Sequence, residues 1–333
     1  DDGWLDLFVG ATVESPQNYL YRNNRDGTFT RVDDAAMPKT PSTQHGCAWG
    51  DHDNDGNLDL IATADDPGHN MVYHNNGDGT FSWTTNNAIY AATSTDGFHS
   101  PRWGDYDNDS FIDLFIGAHG YRTHLFHNDA HGSFTGITDH VFVNGYFAIN
   151  TPARAFVDYD GDGDLDLLGT NVLLDSFNPY AVLYRNDGAG AFTRVTNSGL
   201  SNRVQSSFAA CWGDYDNDGS SDLFLANRGV NSLYHNQGEG MFTLVADSAP
   251  VREQIPPQVF FSSCAWGDYD NDGFIDLFVS ATDLPHIWER GFLYRNNGDG
   301  TFTKVSEGET GQVSWVDYDN DGFLDLFLVR AGE

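Results

Sequence analysis

The chain has 333 residues, 39 % of them hydrophobic and 14 % aromatic, and carries a formal net charge of −33. That apolar content excludes a disordered acidic segment, and 16 Lys and Arg against 49 Asp and Glu argue against a nucleic-acid partner, whose binding is driven by phosphate neutralisation. No apolar run reaches the roughly 18 residues of a membrane-spanning helix, so no membrane insertion is expected of this segment.

In chain order, the first recurring element is a nine-residue acidic loop. A truncated copy opens the chain as Asp2-Gly3-Trp4-Leu5-Asp6, and six full copies follow at Asp51–Asp59, Asp105–Asp113, Asp158–Asp166, Asp214–Asp222, Asp268–Asp276 and Asp317–Asp325. Each full copy keeps Asp at positions 1, 3, 5 and 9. These are Asp51, Asp53, Asp55 and Asp59; Asp105, Asp107, Asp109 and Asp113; Asp158, Asp160, Asp162 and Asp166. The later copies supply Asp214, Asp216, Asp218 and Asp222; Asp268, Asp270, Asp272 and Asp276; Asp317, Asp319, Asp321 and Asp325. Alternating carboxylates suit a hard cation that takes six to eight oxygens at about 2.3–2.6 Å, which is calcium chemistry.

A glycine at position 6 permits the sharp turn that aims the position-7 carbonyl inward, from Asn57, Phe111, Asp164, Ser220, Phe274 or Phe323. Asp, Asn and Gly are also good turn formers, but six copies at one spacing favour ligation. In the second full copy Ser110 replaces the glycine, which predicts a strained residue and a weaker site. In the third, Gly161 replaces Asn at position 4, an exchange expected to be harmless. Positions 1, 3, 5 and 9 of the full loops, with Asp2 and Asp6, account for 26 of the 49 acidic residues; seven calcium ions would bring the charge to about −19. The acidity reads as metal ligand.

Loop starts recur every 49 to 56 residues, the period of propeller blades or a β-solenoid. Four strands are expected per unit. The first precedes the loop, as in Ser207–Trp212; the second follows it as an apolar run such as Leu277–Ala281, buried on both faces. The third ends in a tag, for example Tyr73-His74-Asn75 or Tyr294-Arg295-Asn296, and the fourth reads Gly-Thr-Phe-Thr, as at Gly300–Thr303. Asn-Gly-Asp-Gly between the last two marks a hairpin. No amphipathic helix of ten residues is evident.

Two positions before each loop stand Trp49, Trp103, Phe156, Trp212, Trp266 and Trp315. This stripe reads as packing between units rather than a sugar platform. Cys47, Cys211 and Cys264 fall in the same strands without metal or redox spacing and read as small buried residues.

The expected fold is therefore all-β: a single β-propeller domain over residues 1–333 with four-stranded blades, seven favoured over six, and a calcium loop between first and second strands. The repeat units fall at about 1–43, 44–97, 98–151, 152–206, 207–260, 261–310 and 311–333, the two outer ones partial, so residues beyond both ends are expected.

The loop followed by Leu-Asp-Leu-Phe-Val resembles the FG-GAP (VCBS-type) repeat of the integrin α-subunit propeller. The Tyr-Arg-Asn-Asn-Gly-Asp-Gly-Thr-Phe hairpin is closer to secreted bacterial versions and the cartilage acidic protein group. The resemblance implies a propeller, calcium in each blade and an extracellular or cell-surface setting; a fungal lectin built on similar repeats implies that the scaffold can bind sugar. It bears on fold more than on function.

The leading functional reading is a secreted or surface module that binds glycans or extracellular proteins, alone or within a larger surface assembly. Variable loops carry its candidate sugar-stacking residues Trp288, Tyr180, Phe177 and Tyr121. An enzyme, such as a polysaccharide lyase or hydrolase using Arg102, Arg154, His45 and His99, is the alternative, with no paired Glu, nucleophile elbow or HExxH in its favour. A purely structural repeat domain is the third.

Overall fold

The structure, a computed structural model, describes residues 2–10, 17–32, 37, 44–64, 69–83, 85, 87–92, 98–118, 123–130, 132–138, 154–170, 181–200, 206–238, 240–256, 258–283 and 289–330. They form a succession of antiparallel sheets. The first has three strands, β1 (Leu7–Val9), β2 (Tyr19–Asn23) and β3 (Phe29–Arg31). Four-stranded sheets follow. One comprises β4 (Gln44–Gly50), β5 (Asp59–Ala64), β6 (Met71–Asn75) and β7 (Phe81–Trp83); the next β8 (Phe98–Gly104), β9 (Asp113–Ala118), β10 (Thr123–Asn128) and β11 (Phe134–Ile137). Then come β12 (Arg154–Val157), β13 (Asp166–Gly169), β14 (Val182–Asn186) and β15 (Phe192–Val195), and β16 (Ser207–Gly213), β17 (Asp222–Asn227), β18 (Ser232–Asn236) and β19 (Phe242–Leu244). The last complete sheet is β20 (Phe260–Gly267), β21 (Asp276–Thr282), β22 (Glu289–Asn296) and β23 (Phe302–Gly308), followed by the pair β24 (Gln312–Val316) and β25 (Asp325–Val329).

Each four-stranded sheet is a simple meander in which successive strands pair antiparallel, the blade of a β-propeller. The 25 described strands are one more than six such blades hold and three fewer than seven require. Among the described residues the sheets make up six blades, not the seven favoured from the sequence. Helix is confined to two single turns, α1 (Ala88–Ala91) and α2 (Ala249–Arg252). No helix among the described residues is long and apolar enough to cross a membrane.

The contacts group the chain into two compact units, Asp1–Pro152 with Asp187–Phe192, and Ala153–Asn186 with Thr193–Glu333. Within each, the first strands of successive blades run side by side: β4 beside β8 in the one, β12, β16, β20 and β24 in turn in the other. The second strands are accordingly buried on both faces throughout β5, β13, β17 and β21, as their unbroken apolar runs predict. Apolar clusters fill the space between blades. One joins Phe224, Phe261, Leu277 and Tyr294; another joins Ile61, Ile116, Phe126 and Phe134.

The tryptophan stripe explains how blades interlock. Trp103 Nε1 donates to Ala48 O of the preceding blade at 3.2 Å, Trp315 to Ala265 O at 3.3 Å, and Trp266 to Cys211 O at 3.4 Å. The ring lies on a glycine just before the preceding loop. A Cβ on Gly50 would come within 2.7 Å of Trp103, and one on Gly267 within 2.6 Å of Trp315. Small residues there are what permit the rings to close the inter-blade gap.

The cysteines differ from expectation at one position. Cys211 and Cys264 are half-buried, whereas Cys47 is exposed. Arg102, also on a first strand, is exposed and donates to Pro101 O at 2.9 Å. The side chains of His45, His99 and Arg154 lie outside what is described.

Candidate metal centre

Each acidic loop is folded by its own carboxylates. In Asp214–Asp222, Asp214 accepts from the N–H groups of Asp218 at 3.0 Å and Gly219 at 2.9 Å, and Asp218 accepts from Ser220 N–H at 2.8 Å. The same bonds recur, within about 0.3 Å, in Asp51–Asp59 and Asp268–Asp276. Two left-handed residues allow this coil. Position 4 is Asn54, Asn108, Asn217, Asn271 or Asn320 at φ between 57° and 61°, or Gly161 at 76°; position 6 is glycine at 89° to 93°. Ser110 takes the glycine's place at φ 75°, the strained geometry expected from its sequence.

The ninth residue has a different task. Asp222 is fully buried, accepts from Tyr215 N–H at 3.1 Å within the loop, and from Asn236 N–H at 2.7 Å on the third strand. Asp113, Asp166 and Asp276 bind the tag asparagines Asn128, Asn186 and Asn296 in the same way, each at 2.8 Å. The asparagine side chain continues the network. Asn236 Nδ2 donates to Ser221 O at 3.0 Å and, across the blade gap, to Tyr159 O at 2.7 Å; its Oδ1 accepts from Gly238 N–H at 3.1 Å, which starts the hairpin. Asn128 and Asn296 reach back to His52 O and Tyr215 O at 2.7 and 2.6 Å.

Sequence reasoning uses the tag only to mark a strand and misses this asparagine as the clamp between loop, hairpin and neighbouring blade. Its recurrence one residue before each hairpin is the signal that could have found it. Position 4 is similarly undervalued. Asn54 donates to Ser110 O of the next loop at 2.9 Å, Asn217 to Gly273 O at 2.9 Å and Asn271 to Gly322 O at 3.0 Å. Gly161 has no side chain to form such a link, so that exchange is not neutral.

The remaining carboxylate atoms form groups that could hold a cation. Asp51, Asp53 and Asp55 bring one oxygen each to within 4.8 Å of one another, as do Asp105, Asp107 and Asp109. Position 3 joins this outer cluster to an inner one with position 9: Asp107, Asp113 and His127 lie within the same span, as do Asp216, Asp222 and His235. Asp53 Oδ1, Asp107 Oδ1, Asp160 Oδ1 and Asp216 Oδ1 are buried with no hydrogen-bond partner. Buried anionic oxygens without a donor are costly, and an oxygen-rich set around them fits calcium.

The electrostatics agree. Burial drives Asp113, Asp166 and Asp222 up to about 7 and Asp276 to about 6, against the pull of their backbone donors. Burial, followed by the adjacent carboxylates Asp109, Asp162 and Asp218, also raises Asp107, Asp160 and Asp216. Imidazole nitrogens stand beside these carboxylates. His127 Nδ1 stands 3.2 Å from both Asp107 and Asp113, and His235 Nδ1 3.1 Å from Asp216 and 3.3 Å from Asp222.

The truncated copy differs. Asp6 acts as a ninth residue, accepting from Asn23 N–H at 2.9 Å, but Asp2 is paired with Arg25 at 2.8 Å and Arg22 at 3.2 Å, which hold its carboxyl down at about 2. Two guanidinium groups stand there where a metal is expected. Trp288, Tyr180, Phe177 and Tyr121 all lie outside the described residues.

The sequence pattern of the FG-GAP-like repeat matches residues 1–62, 51–116, 105–169, 214–279 and 286–328, most of the chain. The chain belongs to the FG-GAP-like repeat family. No curated protein matches it. Among solved structures, it is similar to an Agrocybe aegerita lectin that specifically recognises non-reducing terminal N-acetylglucosamine. Identity is 17 %, the match covers 97 % of this chain and 84 % of the lectin, and the TM-score is 0.62. A Lactobacillus plantarum protein matches at 13 % identity over 93 % of this chain and 97 % of its own, with a TM-score of 0.47. At such identities the lectin likeness concerns the fold, and the FG-GAP-like repeat itself carries the acidic loops described above.

Proposed function

We propose that this FG-GAP-like repeat chain is a calcium-stabilised binding module that acts outside the cell or on its surface and takes glycans or proteins as ligands, without catalysis of its own. The observation that carries the calcium reading is the set of buried, unpartnered position-3 oxygens inside carboxylate clusters. Asp51, Asp53 and Asp55, with Asp59 and the Asn57 carbonyl, would hold one ion, and the corresponding residues of the other full loops would hold theirs. A bound calcium would neutralise the mutual repulsion of the loop carboxylates. Each site would add about 2.7 kcal/mol of stability at a hundredfold excess over Kd, and millimolar extracellular calcium suits that role.

Glycan binding is supported by the fold shared with the N-acetylglucosamine-recognising lectin and by a cleft of about 580 Å³ between the first two sheets. Trp4, Trp49 and Phe81 offer ring faces there, and Asp2, Arg22 and Asn75 offer polar groups. Apolar faces with a few polar groups are what small-ligand sites use. A glycan array probed in millimolar calcium and again in chelator tests the reading. Calcium-dependent retention of a sugar class, with terminal N-acetylglucosamine among the probes, is the expected result. A blank array from folded protein would remove the glycan half of the proposal and leave protein ligands.

A further inference from the structure

The Asp51–Asp59 loop differs from the other full loops in its chemistry. Position 2 is tyrosine in the other five, at Tyr106, Tyr159, Tyr215, Tyr269 and Tyr318, but histidine here, His52. The residue before the tag asparagine is also histidine, His74, where three other blades carry Arg22, Arg185 and Arg295. Both imidazoles turn toward the same carboxylates. His74 Nδ1 lies 3.2 Å from Asp53 Oδ2 and 3.3 Å from Asp59 Oδ1, and His52 Nδ1 touches Asp59 Oδ2. One donor atom from each of His52, Asp53, Asp59 and His74 falls within 4.8 Å of all the others.

We propose that these four residues bind a zinc-type transition-metal ion, a site apart in chemistry from the all-oxygen calcium sites. Two imidazole nitrogens with two carboxylates form a donor set for tetrahedral zinc, and imidazole donors select against calcium. A tetrahedron with bonds of about 2.0–2.1 Å has edges of about 3.3–3.4 Å, close to the observed separations around His74. His74 Nδ1 and Asp53 Oδ1 are buried without a hydrogen bond, so neither atom has a competing donor or acceptor to release.

The site is also held in place. His52 is 6 % exposed and Asp59 fully buried. The His52 ring stacks on Phe134 with centroids 5.7 Å apart and planes 5° apart, and its carbonyl accepts from Asn128 Nδ2 at 2.7 Å. Asp59 is fixed by the N–H groups of His52 at 3.2 Å and Asn75 at 2.8 Å. Such supporting contacts orient metal ligands before the ion arrives.

The other blades provide a graded control. The His127 and His235 loops bring only three donors together, Asp107, Asp113 and His127 in one and Asp216, Asp222 and His235 in the other. Their position-2 tyrosines instead set a ring edge against the imidazole, at 6.3 and 6.5 Å. Zinc affinity should therefore be highest at Asp51–Asp59, weaker at those two, and absent where Arg185 or Arg295 brings a fixed positive charge. Asp53 and Asp59 are also calcium ligands in the proposed function, so in this one loop zinc would compete with calcium, and the calcium sites of the other five full loops are unaffected.

The test is zinc titration of chelator-stripped full-length chain by calorimetry, with and without millimolar calcium, and cobalt substitution read by visible absorption. His52→Tyr and His74→Arg install residues that other blades already carry, and thermal melting verifies that both variants fold. The expected result is one tight zinc site, a tetrahedral cobalt spectrum, and at least a tenfold loss of affinity in each variant. Absence of tight zinc uptake, or uptake that neither substitution alters, would overturn the proposal and leave His74 as a polar neighbour of the carboxylates. Calcium uptake measured on the same samples reports on the proposed function separately.

Discussion

On the blade β20–β23, two acidic turns, the loop between β20 and β21 and the hairpin between β22 and β23, both bond to Asn296 but have opposite electrostatics. In the hairpin, exposed Asp299 accepts from Thr301 N–H at 3.0 Å and from its hydroxyl at 2.5 Å, and those bonds hold its carboxyl below the usual range. Asp26 and Asp78 do the same with Thr28 and Thr80. In the loop of that blade, Asp276 is fully buried and raised to about 6. Identical residue types thus build a turn that satisfies itself and a loop that gathers more negative charge than its donors answer. The difference is burial and crowding, and it makes the loop the turn of the two that could hold a cation.

The largest expected effect that sharpens this contrast is on the pH dependence of the metal-free protein. A carboxyl raised by folding stabilises the folded state below its unfolded value near 3.9, and that contribution is lost as pH rises through the folded value. With Asp166 and Asp222 at about 7 and Asp276 at about 6, chelated protein should lose stability between about pH 4 and 7. Denaturant melts across that range check the sign; flat stability would break the contrast.

Next in size is the asparagine clamp. Asn236→Ala strips donors from Ser221 O and Tyr159 O, and two orphaned carbonyls cost about 2–4 kcal/mol together. Urea melts should show it as a lower midpoint. Ser110→Gly relieves a positive φ of 75° and should stabilise by about 0.5–1 kcal/mol, with tighter calcium binding at that loop. The smallest effect belongs to the hairpin: Asp299→Ala removes exposed bonds and should cost under about 1 kcal/mol, with no change in calcium uptake.

What is legible in the sequence is what is local. The 1-3-5-9 carboxylates, the apolar second strand and the Asn-Gly-Asp-Gly hairpin each declare themselves within nine residues, and the structure sets the loop between first and second strands and buries the second strand as expected. What crosses between blades is hidden. Asn128 acts on His52 O, 76 residues away, and Asn54 acts on Ser110 O, 56 away, so composition gives no reason to value either. The count of blades fails for a related reason: period fixes the size of a unit, while the number of units depends on how strands are apportioned at the outermost repeats. Cys47 is exposed although its strand neighbours Cys211 and Cys264 are half-buried, because a shared register does not guarantee a shared environment.

The most direct test of the central claim is the thermal melting of the full chain at neutral pH in millimolar calcium and in chelator. Cation-dependent loops predict a transition that moves to markedly lower temperature in chelator and returns when calcium is restored, rising with calcium concentration as mass action requires. A transition at the same temperature in both buffers would contradict it, and the buried carboxylates would then have to be stable as a metal-free network.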